Sequence, residues 1–198
     1  MNSAVSHFFA MLSRMKYITR WGLMRNSRTE NLSEHTLEVA YLTQALCEIG
    51  RTRLGKQPDT GHAVLLALHH DTSEILTGDL PSPVKYYNRH LKDSYHDLER
   101  ASAGRLLQLL PAYLRGSYER YMLPKESDAE LLRLVKAADK LSALIKCVEE
   151  ERMGNRDFFR ARAALEESVR GLDLDEVQIF MDEFFPAYTH TIDELPML

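Results

Sequence analysis

The sequence predicts an all-α protein, a single-domain helical bundle. Apolar residues recur three and four positions apart along nearly the whole chain, and alternating β-branched runs are scarce. With 198 residues, 44% of them hydrophobic, the chain suits one core rather than two. No repeat or low-complexity tract divides it, so the domain spans 1–198, with a central part over about 31–145 and closing helices over about 157–186.

The first helix, about 6 to 18, lines up Phe8, Leu12 and Met15 before the irregular, basic stretch "RWGLMRNSRTEN". In "NLSEHTLEVAYLTQALCEIG" a second helix begins with Asn31 and Glu34 in capping-box relation and has Gly50 as its natural stop. Its stripe of His35, Val39, Leu42, Leu46 and Ile49 keeps helical spacing, which turns the His35 ring toward the core. The third helix, roughly 60 to 75, sets Ala63, Leu66, Ala67, His70 and Glu74 on one face until "TGDLPSP" breaks it. Further helices fit about 89–110, 112–122 and 127–152, the last placing Asp139 inside an apolar stretch and stopping near Gly154. Two more, about 157–170 and 173–185, end at Gly171 and Pro186.

Composition narrows the function. A formal charge of -4 gives no general attraction to polyanions, which disfavours a nucleic-acid polymer as partner. The two cysteines, Cys47 and Cys147, sit in helix-patterned stretches and read as buried thiols of a reducing compartment. The N-terminal stretch has no signal-peptide pattern and no apolar run spans a bilayer, so the expected location is cytoplasmic, off the membrane.

Taken singly, His35, His70 and Asp139 each pass as a hydrogen-bonded core residue. Together with Asp71 they put two imidazoles and two carboxylates on three helices, a costly set to bury unless a shared cation neutralises it. Imidazole with carboxylate suits a divalent transition ion such as Mn, Co, Ni, Zn or Fe(II), whereas the thiolates of a closed structural zinc site are absent. An open site of this kind acidifies water and makes hydrolysis the natural reaction class.

The spaced His35, His70-Asp71 and Asp139 pattern resembles the H…HD…D signature of the HD-domain metal-dependent phosphohydrolases, an all-helical superfamily. Within it, "SHFFA", "RWGLMRN", "RTEN", "SEH", "TGDLPSPVKY" and "VKAADKL" resemble the YfbR-like 5′-deoxynucleotidases in order and spacing. The likeness covers most of the chain and is most specific in "RTENLSEH" and "HHDTSEILTGDLPSPVK"; past about residue 155 it is mostly helical pattern.

The resemblance implies His35, His70, Asp71 and Asp139 as metal ligands and Glu74 as the residue that orients or deprotonates the attacking water. It makes Asp79 a site residue that either protonates the leaving oxygen or orients Arg20. Arg20 suits bidentate capture of a phosphate, and the resemblance packs Trp21, the one tryptophan, against the sugar where a 2′-hydroxyl would stand. Lys85 is the best of the remaining cations for the pocket, ahead of Arg25 and Arg28, while His69 turns away from the metal in a supporting role.

The implied substrate is a deoxyribonucleoside 5′-monophosphate, and the implied assembly a homodimer, for which "DEVQIFMDEFF" offers Phe and Met. Ile75 follows Glu74 where (p)ppGpp hydrolases carry a second acid, and no Gly-Tyr-Pro element follows the dyad as in cyclic-dinucleotide phosphodiesterases. The alternatives are another HD-type nucleotide phosphohydrolase or a non-catalytic metal- or nucleotide-binding module, which would have no use for Glu74 and Asp79.

Overall fold

The structure, a computed structural model, describes residues 5–85 and 87–194. Tyr86, which closes the "TGDLPSPVKY" stretch, lies outside the described residues, as do the ends of the 1–198 span. Among the described residues every regular element is helical, apart from one isolated antiparallel bridge between Thr19 and Asn31. None of these helices is long and apolar enough to cross a membrane.

Helix α1 (Phe8–Leu12) runs into a 3-10 turn over Ser13–Tyr17, so the expected single helix is tighter in its second half. Helix α2 (Leu32–Leu54) starts at the expected capping box: the Asn31 side chain accepts from Ser33 and Glu34 N–H, and the Asn31 backbone N–H donates in return to the Glu34 carboxylate. Gly50 does not stop it. The helix runs on to Gly55, whose φ of 67° supplies the left-handed C-terminal turn. Gly50 is instead a close-approach residue, because a Cβ there would stand 3.0 Å from Glu176 Oε1.

Helix α3 (Thr60–His69) is shorter than expected. The chain turns tightly through 70–73 before α4 (Glu74–Thr77), with Thr72 N–H donating to His69 O and Glu74 N–H to Asp71 O. Then follow α5 (Ser82–Lys85), α6 (Arg89–Gln108), α7 (Ala112–Met122), α8 (Ala129–Arg152), α9 (Phe159–Arg170) and α10 (Asp175–Glu183).

The main core lies between α2, α3, α8, α9 and α10, where Val39, Leu46, Leu66, Leu141, Leu144 and Val177 lose nearly all contact with solvent. Burying each such side chain stabilises by roughly 1.5–3 kcal/mol, which makes α2 and α8 the rigid spine of the protein. A smaller core of Phe8, Leu106, Leu107, Leu110 and Met122 joins α1 to α6 and α7. Cys47 and Cys147 are both free and buried. On α10, Phe180 and Met181, and beyond it Phe185, belong to the main core; Phe184 alone of that apolar set stays open, at 47% exposure. The α10 face offered to a partner is thus spent within the chain.

Candidate metal and phosphate site

His35, on the buried stripe of α2, is fully enclosed. Its Nδ1 lies 3.0 Å from Ser142 Oγ on α8, and that hydroxyl donates its own proton to Glu38 Oε2 at 2.5 Å. The serine oxygen therefore accepts from His35 Nδ1–H, which leaves the lone pair on Nε2. His70 reaches the same tautomer by another route. Its Nδ1 lies 2.6 Å from the Ala67 carbonyl, which only accepts, so Nε2 again carries the lone pair.

Both Nε2 atoms are buried without a hydrogen-bond partner. Together with an Asp71 oxygen they fall within 4.8 Å of one another, with Asp71 Oδ2 at 3.0 Å from His70 Nε2 and 3.6 Å from His35 Nε2. Asp139 Oδ1 approaches His35 Nε2 to 3.1 Å from the open side, its side chain 43% exposed. Two orphaned imidazole lone pairs and two carboxylates converging in this way fit a divalent ion of the transition series. Of the four residues expected as ligands, His35, His70 and Asp71 form one cluster, and Asp139 approaches it at His35 Nε2.

The electrostatics agree with that reading. Burial opposes charge on His35 and lowers its pKa, which favours the neutral imidazole a ligand must be. Burial also works against charge on His70, but Asp71 outweighs it and carries this ring up to about 9. A cation at Nε2 competes with that proton. Burial pushes Asp71 upward, and His70, His35 and Arg20 together hold it well below the usual carboxylate range.

Glu74, at the start of α4, is buried, and its Oε2 has no hydrogen-bond partner. Burial first, then the charges of Asp71 and Asp79, push its carboxyl up to about 9. Asp79 follows Gly78; burial raises its carboxyl, while the charge of Arg20 and the backbone N–H of Trp21 draw it back down. The tight turn after α3 is what gathers these acids: it swings Asp71 and Glu74 in beside His70.

Arg20 and Trp21 arrive on an arm, the irregular stretch 20–30, that leaves and rejoins the body at the Thr19–Asn31 bridge. Arg20 N–H donates to Glu30 O at 3.0 Å, and Leu32 N–H to Ile18 O at 2.9 Å. Arg20 Nη1 lies 3.5 Å from Asp71 Oδ2, which puts its guanidinium at the edge of the metal centre. Glu30 then ties the pair together: its Oε2 accepts from Trp21 Nε1 at 2.9 Å and stands 3.5 Å from Arg20 Nε.

Three other side chains complete the picture. Lys85 Nζ pairs with Glu99 at 2.7 Å and lies over the Tyr95 ring, so it serves first as a strut between α5 and α6, though its charge is felt by Glu74. His69 faces the rings of Tyr118 and Tyr121, away from the metal residues. Arg28 points largely to solvent beside Glu34, and Arg25 is exposed.

Sequence reasoning missed Glu30, Ser142 and Glu38. Glu30 stood in the quoted "RTEN" stretch but carried no role, and a serine in a helix interior gives no signal by itself.

The comparisons with known proteins agree with this geometry. Residues 7–188 match the family described as 5′-deoxynucleotidase YfbR-like. The chain is 41% identical over 193 residues to the 5′-deoxynucleotidase yfbR of Photorhabdus temperata, covering 98% of each chain. It is 42% identical over 190 residues to a 5′-deoxynucleotidase of Erwinia tasmaniensis, covering 96% of each. Among solved structures, an HD-domain phosphohydrolase of Listeria innocua superposes with a TM-score of 0.77 at 22% identity, over 92% of this chain and 88% of that one. The cyanophage S-2L HD phosphohydrolase DatZ, bound to dA and one catalytic Zn2+ ion, superposes at 0.63 with 23% identity, over 92% and 96%. With the family match running through every residue of the site, the chain belongs to the YfbR-like 5′-deoxynucleotidase family.

Proposed function

We propose that this protein hydrolyses deoxyribonucleoside 5′-monophosphates to deoxynucleoside and inorganic phosphate. One observation carries the reading: a phosphate-type fork, Arg20, and a sugar-sized ring, Trp21, are fastened side by side to Glu30 at the rim of a two-histidine, two-carboxylate centre. The 5′-deoxynucleotidase relatives at about 40% identity support the same substrate class.

His35, His70, Asp71 and Asp139 would hold the ion. When bound, a divalent cation supplies positive charge for the phosphoryl oxygens and acidifies water near neutral pH. Arg20 takes two phosphate oxygens in its planar fork, which orients the phosphorus toward the centre. Glu74, buried beside Asp71, positions the attacking water; a cation held at the neighbouring residues would offset the negative charge of Asp71 and Asp79 that raises its carboxyl, and so let it accept the water's proton. A new P–O bond forms from that water as the bond to the 5′-oxygen breaks. Asp79 stands beside Trp21 and Arg20, where it either delivers the proton that the 5′-oxygen carries away or, ionised, orients Arg20, water then protonating the 5′-oxygen. No covalent phospho-enzyme is needed, since phosphoryl transfer asks chiefly for positioning and charge stabilisation.

Trp21 packs against the sugar and excludes a 2′-hydroxyl, which gives the preference for deoxyribose. Lys85 adds positive potential behind Glu74. Cobalt, manganese, zinc, nickel and iron all suit the donor set, with cobalt and manganese the first to try. The reading includes a cytoplasmic homodimer, which has to draw on a surface other than the buried face of α10; sedimentation of the purified chain tests it.

The deciding experiment strips the protein with chelator and measures phosphate release from dAMP and AMP as Co, Mn, Zn, Ni and Mg are returned. Metal-dependent release from dAMP, weak on AMP and lost in Glu74→Ala, is the expected result. Equal rates on both sugars would keep the hydrolase and discard Trp21 as the gate; no release with any metal would turn the reading to a binding module.

A further inference from the structure

The arm that carries Arg20 and Trp21 is held from outside the metal centre. Trp21 has φ of 59°, a left-handed conformation that costs a residue with a Cβ on the order of 1 kcal/mol and persists only where the surroundings impose it. Glu30 imposes part of it through the indole N–H. The rest comes from the last turns of α8 and the segment after it.

Glu150, 1% exposed, accepts from Ser27 N–H at 2.8 Å and Arg28 N–H at 3.2 Å. Lys146, also buried, pairs with Glu150 and donates to the Arg28 carbonyl at 2.5 Å. Asn155 donates to the Arg25 carbonyl and to Glu150, each at 2.7 Å. Phe158, fully buried, sets its ring 5.4 Å from that of Trp21, tilted by 56°.

A buried ion pair is a poor device for stability alone, since apolar residues of similar volume often serve as well or better. This one spends its hydrogen bonds on the backbone of residues 25–28. Burial by itself would raise the Glu150 carboxyl; Lys146, Asn155 and the two amides outweigh it and hold it down to about 2.

We propose that Glu150, Lys146, Asn155 and Phe158 form a clamp of positioning residues that sets where Trp21 stands, and so how strongly the site rejects a 2′-hydroxyl. The inference rests on Trp21 being the sugar gate. It gives a functional role to residues near and past position 155, where the sequence shows only helical pattern.

Trp21 is the only tryptophan, so intrinsic fluorescence reads the gate directly. The test compares Phe158→Leu and Asn155→Ala with the unaltered chain in tryptophan emission, and these two together with Trp21→Ala in kcat and KM on dAMP and AMP, melting temperature, and Co2+ affinity by titration. A hydrophobic wall discriminates one small group by roughly 10- to 200-fold. Loosening that wall in Phe158→Leu is expected to cut the dAMP preference about tenfold and in Asn155→Ala about threefold. Both variants should show an altered emission maximum, with kcat on dAMP and Co2+ affinity nearly unchanged.

Emission and preference that stay as in the unaltered chain, in both variants, would overturn the clamp. If Trp21→Ala itself leaves the preference intact, the sugar gate falls and the clamp's role in specificity falls with it. A lost preference in Trp21→Ala beside an intact one in the other two variants overturns the clamp alone. Should Phe158→Leu melt early, Asn155→Ala decides, because it removes no buried ring and no charge.

Discussion

The metal half of the site and its substrate half rest on opposite kinds of backbone. His35 and Asp139 stand on α2 and α8, the two longest helices, with His70 and Asp71 just beyond the end of α3. These positions come from packing that burial stabilises strongly. Arg20, Trp21 and Asp79 stand on irregular chain, and the arm is kept in place by particular polar contacts: Glu30 to the indole and Glu150 to the Ser27 and Arg28 amides. The proposed ligands are thus placed largely by the fold itself, whereas the residues proposed to choose a substrate are placed by a few replaceable side chains. Such a division lets specificity change while the metal centre stays.

The sharpest way to break that division is to remove chemistry from the metal half without removing the metal. Glu74→Gln keeps the shape of the side chain and takes away the carboxyl proposed to handle the water's proton. Turnover of dAMP should fall by about 10²- to 10⁴-fold, with Co2+ affinity within a few-fold of the unaltered chain. A parallel collapse of affinity would make Glu74 a part of the metal's support instead of the group that handles water. In the substrate half, Arg20→Lys leaves a charge but not a fork. A loss of about 50-fold in kcat/KM is expected, corresponding to one strong charge-assisted contact. A loss of only two- or three-fold would mean that the phosphate is held mainly by the ion.

The sequence made the two halves unequally legible. The capping box at Asn31 and Glu34 and the α2 stripe through His35 obey local rules, and both appear as expected. Asp139 was conspicuous because a carboxylate interrupts an apolar helix. Three features escaped because their causes lie far along the chain. Gly50 reads as a stop until Glu176, 126 positions later, is seen to fill the space its Cβ would need (176 − 50). The break of α3 at His70 carries no glycine or proline before Gly78, so helical periodicity simply runs through it. Glu30 and Ser142 have ordinary surface-like identities and acquire roles only through Trp21, Arg20, Glu38 and His35.

Ser142 and Glu30 allow a matched pair of smaller tests, one in each half. Ser142→Ala removes the oxygen that receives His35 Nδ1–H, so Co2+ affinity should drop about tenfold while the dAMP-to-AMP ratio holds. Glu30→Gln should do the reverse, lowering the sugar preference about fivefold and shifting the Trp21 emission, since an amide accepts the indole proton less strongly than a carboxylate. Crossed results, with Ser142 altering specificity or Glu30 altering affinity tenfold, would show that the halves are coupled, and the 3.8 Å approach of Glu30 Oε1 to His35 Nδ1 would be the place to look.

Backbone strain gives the mildest test of the same contrast. Gly78 has φ of 73° and ψ of 166°, a region open essentially to glycine alone, and it delivers the chain from α4 to Asp79. Nothing lies within 4 Å of the Cβ that Gly78→Ala would add, so the cost of that substitution is conformational and owes nothing to crowding. Stability should fall by about 1–2 kcal/mol, or roughly 2–8 °C in Tm for a chain of this size. The metal centre, with His35 and Asp139 on helices and His70 and Asp71 in the turn ahead of α4, should keep its Co2+ affinity, while the KM for dAMP rises two- to three-fold as Asp79 shifts relative to Arg20 and Trp21. Trp21 supplies the contrast. It sits at φ of 59° with a full side chain, so Trp21→Gly should relax the backbone while removing the proposed gate. Strain at Gly78 costs this protein little because no side chain is wanted there; strain at Trp21 is retained because the ring is.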